Sequence, residues 1–200
     1  MGRPPAHDPQ SLLDAAVSLA AESGPAAVTM AAVARRAGAP SGSVYHRFAK
    51  RPALLSALWL RTVSRFQDGF LAALDTSAVA AARHVVEFSR AHPDEARVLV
   101  HGARDFGEPE WDTAARDELR RLNRRVETAL VATAARLACE VERVVLATVD
   151  LPLAAVRRPL LAGGDVPAAT VTLVAEGAAA LLRVDDTGDA GASRQGLSSK

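Results

Sequence analysis

Residues 29–51 read TMAAVARRAGAPSGSVYHRFAKR, and this stretch decides the fold. Thr29 is a natural N-cap for a short helix from Met30 to Ala37. Gly38 is the left-handed residue that ends such a helix. Pro40 suits the first position of a second short helix, reaching Arg47. Two short helices parted by the break Gly38-Ala39-Pro40 have the spacing of a helix-turn-helix. In that unit the second helix stands proud enough to enter a major groove, while the first lies across the duplex and steadies it.

The side chains of the second helix divide into two sets. Val44 and Phe48, at i and i+4, turn inward to meet Val33 and Ala37. That leaves Ser41, Ser43, Tyr45, His46 and Arg47 on the outer side, with Gly42 allowing close backbone approach. Hydroxyls, a phenol and cations are the donors that phosphates and base edges require. Arg36, at the end of the preceding helix, is either a solvated charge or a further DNA contact. Lys50 and Arg51 stand at the start of the next helix, where positive charge opposes the helix dipole. A phosphate partner would offset that local cost.

Working outward, the chain predicts an all-α fold. Ala, Leu, Arg and Glu dominate, aromatic residues are 4%, and no segment alternates as a strand does. Leu13, Ala16, Val17 and Ala20 give a first helix, from about Asp8 or Pro9 to Ser23, one apolar face. Gly24-Pro25 stops it. A long fourth helix starts near Pro52 and reaches about Leu74. Later helices are expected at Ser77–Ala91, Asp94–Gly102, Trp111–Cys139, Glu140–Leu151 and Pro167–Val184. Pro93, Gly107-Glu108-Pro109, Pro152 and Gly163-Gly164 are expected to separate them. From Asp185 the Asp-, Gly-, Ser- and Thr-rich composition predicts a disordered tail.

Charge supports a division of labour. Residues 1–72 carry eight Lys and Arg against four Asp and Glu, whereas residues 73–200 carry sixteen against nineteen. The basic third suits a polyanion and the rest a different partner. Cations number 22 Arg and two Lys, a bias that limits what any single Arg can argue. The lone Cys139 excludes an internal disulfide framework and a cysteine zinc site. No apolar run approaches the roughly 20 residues of a membrane span. Met1 to Gln10 lacks the apolar core of a signal peptide, so a cytoplasmic location is expected.

Residues 11–59, SLLDAAVSLAAESGPAAVTMAAVARRAGAPSGSVYHRFAKRPALLSALW, resemble the N-terminal DNA-binding domain of the TetR family of transcriptional regulators. The matching features are Leu12-Leu13-x-Ala15-Ala16, Gly24 and Thr29-x-x-x-Val33-Ala34. Ala37-Gly38, Gly42-Ser43-Val44-Tyr45-x-x-Phe48 and Leu54-Leu55 follow. Each is weak alone, and their joint order and spacing carries the resemblance. It implies a helix-turn-helix domain over residues 1–51 and a helical ligand-binding and dimerisation domain over 52–184, before the tail at 185–200. It further implies a homodimer on a near-palindromic double-stranded DNA operator, released by a small-molecule effector, with no cofactor, metal or membrane partner. Thr29 would cap the second helix and touch a phosphate. Gly42, Ser43, Tyr45 and His46 fall on positions that commonly meet DNA. Arg51 stands where the family usually has Lys, Arg47 where it often has His, Pro40 where it often has Ser, and Pro52 where it often has Glu.

Candidates for the effector site lie in the second part. His101, Arg104, Asp105, Phe106 and Trp111 surround the kink from Gly102 to Pro109. This cluster reads either as a pocket mouth or as a capped helix–loop–helix around a core Trp. Phe66, Phe70 and Phe88 read as core or as ligand wall. His84 and His92 read as surface or cap residues, and Cys139 as a small buried hydrophobe. An all-helical enzyme using His101 and Asp105 as acid and base is the competing function. No nucleophile motif, phosphate loop or metal spacing accompanies that pair.

Overall fold

The structure is a computed structural model and describes residues 9–182. The expected tail at 185–200 therefore lies outside the described residues. Helix α1 spans Pro9–Ser23, α2 Met30–Arg36, α3 Ser41–Arg47 and α4 Arg51–Thr76. Then come α5 (Ala78–Ala91), α6 (Pro93–Leu99) and α7 (Thr113–Leu137). Last are α8 (Val141–Val145), a π-helical turn (Leu146–Asp150), α9 (Leu151–Leu161) and α10 (Ala169–Leu182). Among the described residues there is no strand, and no helix is long and apolar enough to cross a membrane. The fold is all-α, with an N-terminal helix-turn-helix unit and a larger helical part behind it.

Local chemistry sets most of the boundaries. The Thr29 hydroxyl accepts from the Ala32 amide at 3.1 Å and starts α2. Ser77 does the same for α5 with the Ala80 amide at 3.0 Å, and Asp112 for α7 with the Ala115 amide at 2.8 Å. Each cap satisfies an amide that the first helical turn leaves open. Gly38, at φ 63°, turns the chain out of α2. Helix α7 ends on Ala138 at φ 51°, a left-handed position that a side chain tolerates poorly.

Two buried clusters organise the packing. One joins α1, α2, α3 and the first half of α4 through residues such as Leu12, Val33, Val44, Leu54 and Leu58. It also takes in Val98, Phe106, Trp111 and Leu122 from the following elements. The other gathers the second half of α4 with α5, α7, α8, α9 and α10. Helices α4, α6 and α7 belong to both: α6 sends Val98 into the first cluster and Ala96 into the second, and α7 sends Leu122 into the first and Leu130 into the second.

The last third departs from the sequence expectation. Pro152 does not separate two helices; the chain runs through it, and residues 151–161 form α9. A proline ring clashes with the carbonyl four residues back in a regular α-helix. Here the preceding turn is π-helical, and its wider hydrogen-bonding step makes room for the ring. Thr148 strengthens this turn by donating from its hydroxyl to the Val144 carbonyl at 2.8 Å. The expected helix Asp94–Gly102 stops at Leu99, and α10 begins at Ala169, two residues after Pro167.

Candidate functional site

Helix α3 presents the polar face that the sequence anticipated. Val44 and Phe48 are 0% and 6% exposed, whereas Tyr45, between them in sequence, is 57% exposed. Ser41, Gly42, His46 and Arg47 are also exposed, and Ser43 is half-buried. The helix begins after Pro40, which offers no side-chain cap. The Ser43 amide is instead met by the Pro40 carbonyl at 2.9 Å. Helix α3 is thus seated by one apolar face against α2, with a phenol, an imidazole and a guanidinium facing out.

The flanking cations divide into free and engaged. Lys50 is exposed just before α4. Arg51 reaches back across the domain, donating from Nε to the Val28 carbonyl at 2.7 Å and from Nη2 to the Pro25 carbonyl at 2.9 Å. It braces the loop that leads into α2. Arg36 is held by α1: its guanidinium makes a bidentate pair with Glu22 and donates to the Ser18 hydroxyl at 2.9 Å. That pairing holds the Glu22 carboxyl below its ordinary range. Thr29 has its hydroxyl on the Ala32 amide while remaining exposed.

Behind this domain α4, α5, α6, α7 and the π-turn–α9 segment line an open-sided cavity of about 270 Å³. Phe66, Phe70, Phe88 and His101 stand on its wall. The phenylalanines pack against one another, with Phe66 and Phe88 edge-to-face at 5.3 Å between ring centroids. His84 is not a surface residue. It is half-buried against Phe66 and Phe88, with Nε2 3.2 Å from the Phe66 carbonyl. Burial pushes its pKa below the ordinary value, against the pull of that carbonyl. His92 occupies the N-cap position of α6 and packs at a tilt against Phe88, 4.9 Å between ring centroids.

His101, Asp105, Phe106 and Trp111 stay in contact, His101 edge-on to Phe106 at 6.3 Å between centroids, but of the 101–111 cluster only His101 stands on the cavity wall. Trp111 is buried, and its indole N–H donates to the Phe106 carbonyl at 2.9 Å. Phe106 packs on Trp59 with 5.1 Å between centroids. Both belong to the cluster shared with the helix-turn-helix unit. Arg104 and Asp105 are exposed. The Asp105 carboxylate accepts from the Gly102 amide at 3.3 Å and lies 3.4 Å from His101 Nδ1. This is a turn brace, with His101 alone reaching the cavity.

Trp59, Val63, Gln67 and Ser89 are among the cavity residues that escaped the sequence reading. The signal was present in α4. Positions 59, 63, 66, 67 and 70 continue one helical face well past the part that the N-terminal domain can cover. Ser89 gave no such signal, because its hydroxyl caps the Val85 carbonyl at 2.7 Å as any helical serine does.

Comparison with known proteins agrees with this geometry. Residues 12–58 match the family model of bacterial regulatory proteins, tetR family. No curated protein matches the sequence. Among solved structures, the transcriptional regulator FadR of Bacillus subtilis in complex with stearoyl-CoA aligns with a TM-score of 0.66 at 13% identity. That alignment covers 88% of this chain and 98% of the other. The fatty acid degradation regulator FadR of Bacillus halodurans gives 0.66 at 16% identity, over 91% and 97% of the two chains. A TetR-like transcriptional regulator of Rhodococcus sp. RHA1 gives 0.64 at 19% identity, over 88% and 96%. The resemblance carried by residues 11–59 is borne out, and the described residues have the fold of such regulators.

Proposed function

We propose that this chain, with its TetR-type first domain, is a cytoplasmic repressor that binds a near-palindromic operator as a homodimer and releases it on binding a small molecule. The observation that carries the reading is the split of α3: Val44 and Phe48 are buried while Tyr45, His46 and Arg47 face out. A seated helix with an exposed polar face is what a major groove accepts. Tyr45, His46, Ser41, Gly42 and Ser43 are proposed to meet the duplex, with Arg47 and Lys50 on phosphates. Thr29, Arg36 and Arg51 act from within the domain, holding α2 in place while their remaining donors face the backbone of the DNA.

Dimerisation is proposed through the last helices. Leu173 on α10 is 65% exposed, and Leu146 is exposed on the π-turn. Val174 and Ala178 are buried in the chain's own core, and Val149 stands on the cavity wall. The self-association face is therefore the outer side of α10, not its whole circumference. A two-fold pair presents two α3 helices, and two half-sites follow from that symmetry.

The release mechanism rests on α4 and α6. The N-terminal half of α4 sits in the helix-turn-helix core, while positions 59 to 70 in its middle line the cavity; α6 spans the same divide. A ligand that prefers one setting of these helices shifts the spacing of the two α3 helices. A preference of about 1–3 kcal/mol is typical of such coupling. The enzyme reading has less support, since Asp105 is engaged at the Gly102 turn.

The test is binding to a DNA fragment carrying an inverted repeat, titrated at several salt concentrations. Affinity that falls steeply and linearly with salt on logarithmic axes is expected. Absence of binding to any fragment from the neighbourhood of its own gene would overturn the reading.

A further inference from the structure

A second cavity, also of about 270 Å³, shares Ser89 and Leu160 with the wall of the first. It sits between the last turn of α5, the first residue of α6 and the loop that joins α9 to α10. Arg90, Pro93, Asp165 and Val166 line it as well. The loop is fixed at two carbonyls. Arg90 Nη1 donates to the Val166 carbonyl, and Arg97 Nη2 donates to the Gly163 carbonyl at 3.3 Å. The Val166 side chain is buried beneath, at 2% exposure. A loop held this way presents its groups in a set position, which lowers the ordering cost of binding.

The two cavities differ in charge. Among the described residues no Lys, Arg, Asp or Glu lines the first, whereas the second carries one of each sign. Arg90 and Asp165 are both exposed, at the rim. The Val166 carbonyl is the only partner of Arg90 among the described residues, and Asp165 has no hydrogen bond or ion pair there. Neighbouring arginines behave otherwise: Arg83 on α5 pairs with Glu87, and Arg97 on α6 with Asp94. Opposite charges thus line one cavity without meeting each other. A lone anion would be drawn to Arg90 and repelled by Asp165, and a lone cation the reverse. A molecule with both charges meets an opposite one at each end. Since Arg90 and Asp165 stand too far apart to pair, the two charges of such a ligand must be several bonds apart. A dry cavity of about 150 Å³ holds benzene, so this one has room for a short chain.

We propose that the second cavity binds a small zwitterion of the ω-amino-acid type. Its carboxylate takes the remaining N–H donors of Arg90, and its ammonium rests on the Asp165 carboxylate. The site is distinct from the effector cavity and does not rest on the regulator reading. An occupant bridges the end of α5 to the loop that leads into α10.

The test uses the full chain, isotopically labelled, and follows the Gly164 amide and the Arg90 Nε–H by two-dimensional NMR near neutral pH. The probes are 4-aminobutyrate, which carries both charges, and butyrate and butylamine, which carry one each on a similar chain. At matched ionic strength 4-aminobutyrate is expected to shift both signals saturably. It should bind about threefold or more tighter than either analogue, a modest ratio because ion pairs at a rim are weak. Asp165→Asn removes no contact within the chain and should lower 4-aminobutyrate to the level of butyrate. Arg90→Gln should lower it to the level of butylamine. An analogue that binds as tightly, no saturable shift of the two signals, or an unchanged affinity in Asp165→Asn would overturn the proposal. So would shifts confined to Phe66 and His101, which would put the probe in the first cavity. The parent chain and Asp165→Asn decide the matter even if Arg90→Gln misfolds. Operator binding is measured separately: its absence beside probe binding would sink the regulator reading and leave this site standing, and operator binding without probe binding would do the reverse.

Discussion

Arg51 Nε lies 2.7 Å from the carbonyl oxygen of Val28, a bond that ties the first turn of α4 to the residue just before the α2 cap. A second bond, from Nη2 to the Pro25 carbonyl at 2.9 Å, closes the same loop. The cation expected to sit on a phosphate therefore first serves the domain that presents α3. Arg51→Ala should lower stability by about 1–2 kcal/mol and weaken binding to all DNA sequences alike. Thermal melting and binding to two unrelated operators check this. A changed base preference with an unchanged melting temperature would contradict the bracing role.

Tyr45 makes the opposite case, a large side chain with most of its surface in solvent. Tyr45→Ala should leave stability within about 0.5 kcal/mol and reduce operator affinity by about tenfold or more. Fluorescence anisotropy with a labelled duplex, beside a circular-dichroism melt, separates the two effects. Unchanged affinity would place the recognition face elsewhere on α3.

His84 makes stability depend on pH. Burial holds its folded pKa below the ordinary 6.5, so below that value the unfolded chain binds protons more readily than the folded one. Its contribution is complete above about 6.5 and is lost as the pH falls toward the folded pKa. The melting temperature should therefore drop on acidification through this window, and His84→Gln should flatten that part of the profile. An identical slope in the variant would assign the effect to another group.

Gly69 faces the same histidine. A Cβ there would collide with the His84 ring, which Phe66 and Phe88 flank. Helix propensity alone would make Gly69→Ala stabilising by about 1 kcal/mol. The collision reverses the sign, and a net loss of about 1 kcal/mol is expected. Combining it with His84→Ala should recover most of that loss. Urea denaturation of the four proteins of the cycle measures the coupling, and additive effects would argue against contact.

Leu173 tests the self-association face. Leu173→Glu places a charge on an exposed position of α10 and should not disturb the monomer fold. Sedimentation velocity is expected to show a shift toward monomer, with operator affinity falling in parallel. A dimer unaffected by this change would move the interface off α10.

Much of the fold was legible in the sequence because its determinants are local. Thr29, Gly38 and Val44 with Phe48 each act within one or two helical turns, through a cap, a left-handed residue and a shared face. The helix missed at residues 151–161 shows where local rules mislead. Pro152 reads as a break, and only a widened turn four residues earlier makes it tolerable. Trp111 likewise reads as a pocket or a core residue until its indole N–H is seen on the Phe106 carbonyl.

Helix content, the helix-turn-helix and the outward set on α3 were set by the order of residues alone, since capping, backbone handedness and a period of about 3.6 residues act between near neighbours. The cavity and the carbonyl partners of Arg51 were decided by the assembled helices. They depend on which faces of distant segments meet, and close packing rather than periodicity determines that.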